Sequence, residues 1–275
     1  MEELKDQQTP DQDNFEEHDD YELSHTDKIV GVFSEPGTTF KKMASFAPKT
    51  TDWLIPVLLV IVVAAVSNFI MMSNPMIKAS VMKTQLEKIE KNFADMVEAG
   101  SITQEQADQQ LEQIRERMDS QMGAGMIIQV VSIFIITFIV FFIVAGVFFL
   151  IAKYGLKGDG DYKAAMVAYG LPYYIVVIQV IVMVILALAM DKFFTGTGVG
   201  AFMDMDNSTF VGFLLNKLDI FSIWFYVVAG IGFAKMFKSE QTGKYIGMTI
   251  GMWLGFSIIF FFLAQAIPFL KFFVR

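Results

Sequence analysis

The 275-residue chain contains no cysteine. Disulfides, thiolate nucleophiles, iron–sulfur clusters and zinc–sulfur sites are therefore excluded. Histidine is nearly absent: His18 and His25 lie in or beside an acidic N-terminal stretch, which removes histidine ligation and histidine general-base chemistry from the apolar part of the chain. Charge is missing where it would matter most. Five apolar stretches, 53–72, 126–152, 164–190, 220–237 and 245–270, hold no Asp, Glu, Lys, Arg or His in their interiors, apart from Lys235 near the end of the fourth. A lysine there can snorkel to the interface. Proton relays, transport paths and intramembrane active sites usually keep ionisable groups at membrane depth, because their cost is tolerated only where they work. No catalytic, cofactor-binding or metal-ligating residue is assigned on these grounds, no cofactor is expected, and the chain reads as a non-enzyme. No basic n-region followed by an apolar h-region opens the chain, so the first span is expected to act as its own insertion signal.

What the chain has instead is apolar bulk: a mean hydropathy of +0.49 and 28 Phe. About 20 apolar residues cross a bilayer core of roughly 30 Å. Four stretches reach that length outright, and the fourth in order does so only by running through Lys235 to Phe237. The expected fold is all-α, a polytopic bundle of five transmembrane helices over residues 53–275. The net charge of −8 is concentrated in residues 1–24, which carry ten acids against Lys5. Residues 1–25 form an expected disordered acidic tail, either solvated or available to a basic partner. Nucleic acid is not an expected partner. Lysine bias in short loops sets orientation. Lys28, Lys41, Lys42, Lys49, Lys153, Lys157, Lys163, Lys235, Lys238 and Lys244 lie on the N-terminal side. The opposite side has as many bases, but six are spread through the long loop 73–125, where the rule weakens. The expectation is a cell-membrane protein with a cytoplasmic N-terminus and an extracytoplasmic C-terminus.

Residues 26–52 read as an interfacial amphipathic segment. Thr26 is placed to cap a helix carrying Ile29, Val30, Val32 and Phe33, and Pro36 suits a first helical turn. Phe40, Met43 and Phe46 follow with Lys41 and Lys42 opposite. Such a stripe lies either on an anionic leaflet or on the protein's own spans. In the loop after span one, Pro75 is expected to break the helix. Residues 76–122 then read as a helical hairpin on the extracytoplasmic side. One arm carries Leu86, Ile89, Phe93 and Met96. Gly100 closes it, and a capping box of Thr103 and Gln106 opens the other, with Ala107, Leu111, Ile114, Met118 and Met122. The two seams pack on each other or offer a docking face. Pro172 should kink span three. Gly243, Gly247, Gly251 and Gly255 recur every four residues on span five, the spacing of a helix-packing glycine zipper. They are expected to pack span five inside the bundle, with a homo-oligomer seam as the alternative.

Gly158-Asp159-Gly160-Asp161 matches the bare G-x-G-D string of intramembrane aspartyl proteases, but no span supplies a second aspartate, so a polar turn is expected. Asp204-Met205-Asp206 reads as a solvated loop more than a cation site. Asn207-Ser208-Thr209 is a formal glycosylation acceptor. Asn68, Gln129, Gln179 and Gln265 are the polar groups within spans, expected to hydrogen-bond between helices. The alternative function, a small transporter or channel, would need them, with Gln129, Gln179 and Pro172, to line a polar path.

The segment Val32-Phe33-Ser34-Glu35-Pro36-Gly37-Thr38-Thr39-Phe40, ahead of the first span, resembles the opening motif F-x-x-P-x-x-x-F of the Yip membrane proteins, in their prokaryotic branch. Asp161–Ala165 leading into Tyr169-Gly170-Leu171-Pro172, and Trp224–Gly232 followed by the basic turn Lys235–Lys244, are similar too. The likeness spans about residues 28–270 and marks Phe33, Pro36, Phe40, Gly170 and Pro172 as family-motif positions. It implies a five-span Yip-domain integral membrane protein with a cytoplasmic N-terminus. The function it implies is membrane organisation or a trafficking-like role through contacts with protein or lipid. Eukaryotic members bind Rab-type GTPases, but their D-L-Y-G-P signature is not found here, so GTPase binding is not carried over. The hairpin 76–122 looks like an addition to the family pattern.

Overall fold

Ser24, just ahead of the first helix, starts the described fold. Its hydroxyl accepts from the Asp27 backbone N–H, while the Asp27 carboxylate accepts from the Ser24 N–H at 3.1 Å. This reciprocal box opens α1, His25–Ser34, so the cap is Ser24 and not Thr26, which lies inside the helix. The computed structural model describes residues 21–120, 124–194, 196–203 and 205–266, with side chains of 117–120 and 124–130 left out. The tail up to residue 20, the side chains of Met118 and Gln129, Met122, Asp204 and the end of the fifth stretch beyond residue 266 lie outside the described residues.

Pro36 takes the first turn of α2, Pro36–Met43, where its missing N–H costs nothing. Val32, Phe40 and Met43 are buried, and α2 lies against α11, Ile220–Met236. Of the two readings of that amphipathic stripe, packing on the chain's own helices is the one the burial supports.

α3, Thr51–Ser73, is the first long apolar helix. It ends at Asn74, whose side chain accepts from the N–H groups of Met76 and Ile77 and so caps α4, Pro75–Glu98. Gly100 takes a left-handed φ of 68° after α4, a conformation that costs glycine nothing. The Thr103–Gln106 box follows, with bonds of 3.0 and 3.2 Å, and opens α5, Gln104–Ser120. α4 and α5 touch. Ala107 is buried, Leu86, Ile89, Phe93, Leu111 and Ile114 are half-buried, and Arg115 pairs with Glu90. The first turns of α4 do something else: Ile77 and Val81 pack with Met71, Val184, Ala187 and Phe194 into a second, smaller core.

α6, Ala124–Leu150, runs into a wide turn at Ile151–Gly155. The span that follows is broken at Leu171-Pro172 into α7, Tyr162–Gly170, and α8, Tyr173–Met190. Beyond two short helices, α9 (Val199–Phe202) and α10 (Phe210–Lys217), come α11 and α12, Thr242–Ala266. Among the described residues, four helical stretches are long and apolar enough to cross a membrane: Thr51–Ser73, Val131–Gly155, Tyr162–Met190 and Thr242–Ala266. The fourth predicted span is different in kind. α11 is 17 residues long, and it reaches spanning length only together with α10, from which it is bent by 60°. α11 is central to the main core, touching α2, α7, α8 and α12. Around it Trp53, Phe141, Phe148, Tyr169, Phe225 and Phe233 form a connected aromatic cluster with ring centroids 5.2–5.6 Å apart. Such contacts add to area burial by about 0.5–1.5 kcal/mol per pair.

Candidate functional site

Lys28 lies one turn before Val32, on the stripe that α1 buries, and it is only 4% exposed. Its ammonium donates to both carboxylate oxygens of Asp52, at 2.9 and 3.0 Å, and Asp52 is equally buried. Asp52 stands in the first turn of α3, where the positive end of the helix dipole favours a carboxylate. Glu22 joins from the surface, 3.4 Å from Lys28 and 2.6 Å from Lys49. The Lys49 bond, with help from Lys28, holds the Glu22 carboxyl below its ordinary range. His25 is hydrogen-bonded to the Tyr174 hydroxyl of α8 at 2.7 Å. Residues 22–28 are thus tied to α3 by charge and to α8 by a hydrogen bond. On the sequence, Lys28 and Lys49 counted only as loop bases, and His25 as part of the tail. The signal that could have found Lys28 was its spacing of four from Val32.

Of the five motif positions, Phe33, Pro36 and Phe40 take part in the docking of α1 and α2 on the bundle, while Gly170 and Pro172 lie within the bundle itself. The Phe33 ring sits 5.6 Å from that of Trp224. Pro36 sets the corner between α1 and α2, and Phe40, fully buried, presses on Gly232, where a Cβ would come within 2.9 Å of its ring. Gly170 lies so close to Trp53 that a Cβ would collide with it, and Pro172 occupies the break that starts α8. The turn Gly158–Asp161 presses on Phe237: a Cβ on Gly160 would meet that ring at 2.7 Å. Asp159 N–H donates to the Phe237 carbonyl, and the Asp161 carboxylate caps α7 at 2.8 Å. Both acids have structural work in a turn.

A second buried polar group sits where α10 bends into α11. Asp219 is 4% exposed and accepts four hydrogen bonds from side chains or backbone around it. Oδ1 takes the Thr197 hydroxyl at 2.7 Å and the Phe221 N–H at 3.2 Å; Oδ2 takes the Gln179 amide at 2.8 Å and the Ser222 hydroxyl at 2.5 Å. Gln179 also donates to Thr197 at 2.9 Å. A carboxylate so surrounded is satisfied at every lone pair, and it ties α8, the loop after it and α11 together. Sequence reasoning found Gln179 but not Asp219. A lone Asp just before an apolar run is the N-cap signal that was there to be used. Of the other polar groups in spans, Gln265 donates to the Ser208 carbonyl at 3.1 Å and Asn68 is half-buried on α3. In the loop between α9 and α10, Asp206 accepts from the Ser208 N–H and hydroxyl, and the Asn207 side chain accepts from Asn216.

The glycine row is where expectation and structure part. Among the described residues, a Cβ on Gly243, Gly247, Gly251 or Gly255 would meet nothing within 4 Å. The expected packing of span five inside the bundle is not made by this row against any described residue. α12 meets α11 through its other face. There Tyr245 and Thr249 are buried, and Thr249 donates to the Tyr226 carbonyl at 2.7 Å. The small residue that permits the approach is on the partner helix: a Cβ on Gly230 would lie 2.6 Å from the Ile246 Cα.

No match is found to a curated protein or to a solved structure. Residues 30–264 match the Yip1 domain, a stretch that begins inside α1 and ends two residues before α12 does. With its apolar helices and its docked N-terminal corner, the chain is a membrane protein that belongs to the Yip1 domain family.

Proposed function

We propose that this chain is a non-catalytic cell-membrane protein that works through contacts with lipids or other proteins, in a membrane-organising or trafficking-like role. Its N-terminus is cytoplasmic and its C-terminus extracytoplasmic. The observation that carries this reading is the closed cluster at Asp219. The carboxylate and Gln179, the groups best placed to handle a proton, ion or polar solute, are already bonded to one another and to Thr197 and Ser222. A transport path would need such groups open. With them engaged inside, the outward faces remain for interaction, among them the glycine row of α12 and a second copy or another membrane protein as its partner.

The test is flux. Purified protein in liposomes should pass neither Na⁺ nor protons above the protein-free rate. Flux that is present in the wild type and lost in Gln179→Leu overturns the contact reading in favour of a channel or transporter. Orientation is tested separately, since the chain lacks cysteine. A cysteine at residue 110 should react with an impermeant thiol reagent in intact cells and one at residue 5 should not; reversed labelling inverts the topology.

A further inference from the structure

Two cavities open side by side where α2 stops, α11 ends and α12 begins. The larger, about 460 Å³, is lined by Lys41, Ser45, Lys235, Lys238, Ser239 and Glu240. The smaller, about 290 Å³, shares Ala44 and Lys238 with it and adds Lys153, the carboxylates of Asp159 and Asp161, and the apolar surfaces of Phe46 and Pro48. The larger falls within the usual size of small-molecule sites, about 300–1,000 Å³. We propose that this lysine-lined cavity binds the phosphate of an anionic phospholipid, with the adjoining Phe46–Pro48 hollow beside its glycerol backbone.

Three observations carry this. First, the charge is concentrated and held in place. Three lysines face one glutamate in the larger cavity, Lys238 also reaching Asp159 of the adjoining one at 3.3 Å, and Lys235, in the last turn of α11, keeps its side chain 17% exposed while donating at 2.9 Å to Glu240. Lys238 stands at a left-handed φ of 53°, a place where helix ends favour glycine, so a lysine is held there at a backbone cost. Second, the site already holds an anion of its own. The Glu240 side chain is 85% exposed, bonded to Lys235 and drawn also by Lys41, and these lysines hold its carboxyl below the ordinary range. An exposed carboxylate bonded to one ammonium and drawn by a second stands where a phosphate would, and a phosphate offers more acceptor oxygens. Third, depth selects the source. α11 and α12 are apolar helices that both terminate at this cavity. A ligand there sits at headgroup level, where juxtamembrane lysines meet anionic lipid. The proposal rests on the contact reading above, and its failure would leave the flux result unchanged.

The experiment uses the full chain in phosphatidylcholine nanodiscs, with labelled phosphatidylglycerol as probe and bound lipid counted by native mass spectrometry. Each lysine charge near an anionic headgroup contributes about fivefold in affinity, so Lys41→Gln with Lys238→Gln should weaken binding about twenty-five-fold. Both side chains are exposed, so the thermal midpoint should hold. Glu240→Gln removes the resident competitor and should tighten binding about fivefold. Lys244→Gln, an exposed lysine outside both cavities, should change nothing. Unchanged binding in the double variant, weaker binding in Glu240→Gln, or equal weakening by Lys244→Gln overturns the site. Glycerol phosphate binding to the detergent-solubilised chain as tightly as the lipid overturns the lipid as its source.

Discussion

Breaking the Lys28–Asp52 pair should be costly, and unequally so from its two ends. The two side chains are 5% and 4% exposed, and both oxygens of the carboxylate are engaged. At an effective dielectric constant near 20, opposite charges about 4 Å apart attract by about 4 kcal/mol, and removing one partner of a buried pair costs about 3–5 kcal/mol because the other is stranded. The structure says which end strands more. With Asp52→Asn, Lys28 keeps Glu22 at 3.4 Å and an amide oxygen to donate to, so the loss should fall near the lower figure. With Lys28→Met, Asp52 loses the ammonium bonded to both its oxygens and should lose near the upper one. The double variant Lys28→Met/Asp52→Leu strands nothing and should recover most of either loss. Equilibrium unfolding of the purified chain in mixed micelles measures all three, and proteolysis between residues 44 and 50 reports whether α1 and α2 have come away first. Equal losses in the two single variants, or losses that simply add in the double, would refute the argument.

The Phe40–Gly232 contact gives a second measure of the same docking. Phe40→Ala should cost about 3–5 kcal/mol, and Gly232→Leu should destabilise comparably because the new side chain would run into the Phe40 ring and the Ala168 carbonyl; a thermal midpoint in detergent unmoved by either would show that the corner is not packed. On α12, Gly251→Ile should leave the thermal midpoint of the monomer unmoved while Gly230→Val lowers it, since only Gly230 faces another backbone; a destabilised Gly251→Ile monomer would place the row inside the bundle after all. The chain start should also loosen in acid. The Glu22 carboxyl lies below its unperturbed 4.5 because of Lys49 and Lys28, so its contribution is complete above that value and is lost as pH falls through the lower, folded one. Hydrogen exchange across residues 21–34 should rise in that window and should not in Glu22→Gln, which lacks the titration; an equal rise in both would assign it elsewhere.

The membrane helices were legible because the property that defines them, long runs without charge, is local. So were the break at Asn74-Pro75, the Thr103–Gln106 cap and the turn at 158–161, each set by residues within four positions of one another. The two buried polar groups were not. Lys28 and Asp52 are 24 positions apart on different helices, and nothing near either residue reveals the other. Asp219 reads as an ordinary acid ahead of an apolar run, and only the fold brings Thr197 and Gln179, 22 and 40 positions away, onto it. The bend between α10 and α11 was hidden for the same reason. It follows from α10 stopping at its C-cap Leu218 and Asp219 capping the next helix, which looks in sequence like one slightly short span.

The glycine row shows what periodicity does and does not specify. A repeat of four establishes that residues share one face of a helix; it says nothing about which neighbour that face meets. Close approach in lipid is driven by dispersion contacts, so a single small residue opposite a backbone suffices. Gly230 supplies it, with Thr249 bonding to the Tyr226 carbonyl across the same seam. Once that seam is made, the face of α12 carrying Gly243, Gly247, Gly251 and Gly255 is left outward with open space above each Cα. At its N-terminal end this face rises from the turn that holds Lys238, Ser239 and Glu240. The lipid-binding cavity and the unoccupied face of α12 are therefore set by one turn. A ligand that pulls Glu240 away from Lys235 acts on the residues from which α12 starts, so lipid occupancy and the availability of that face are physically adjacent properties of the same few residues.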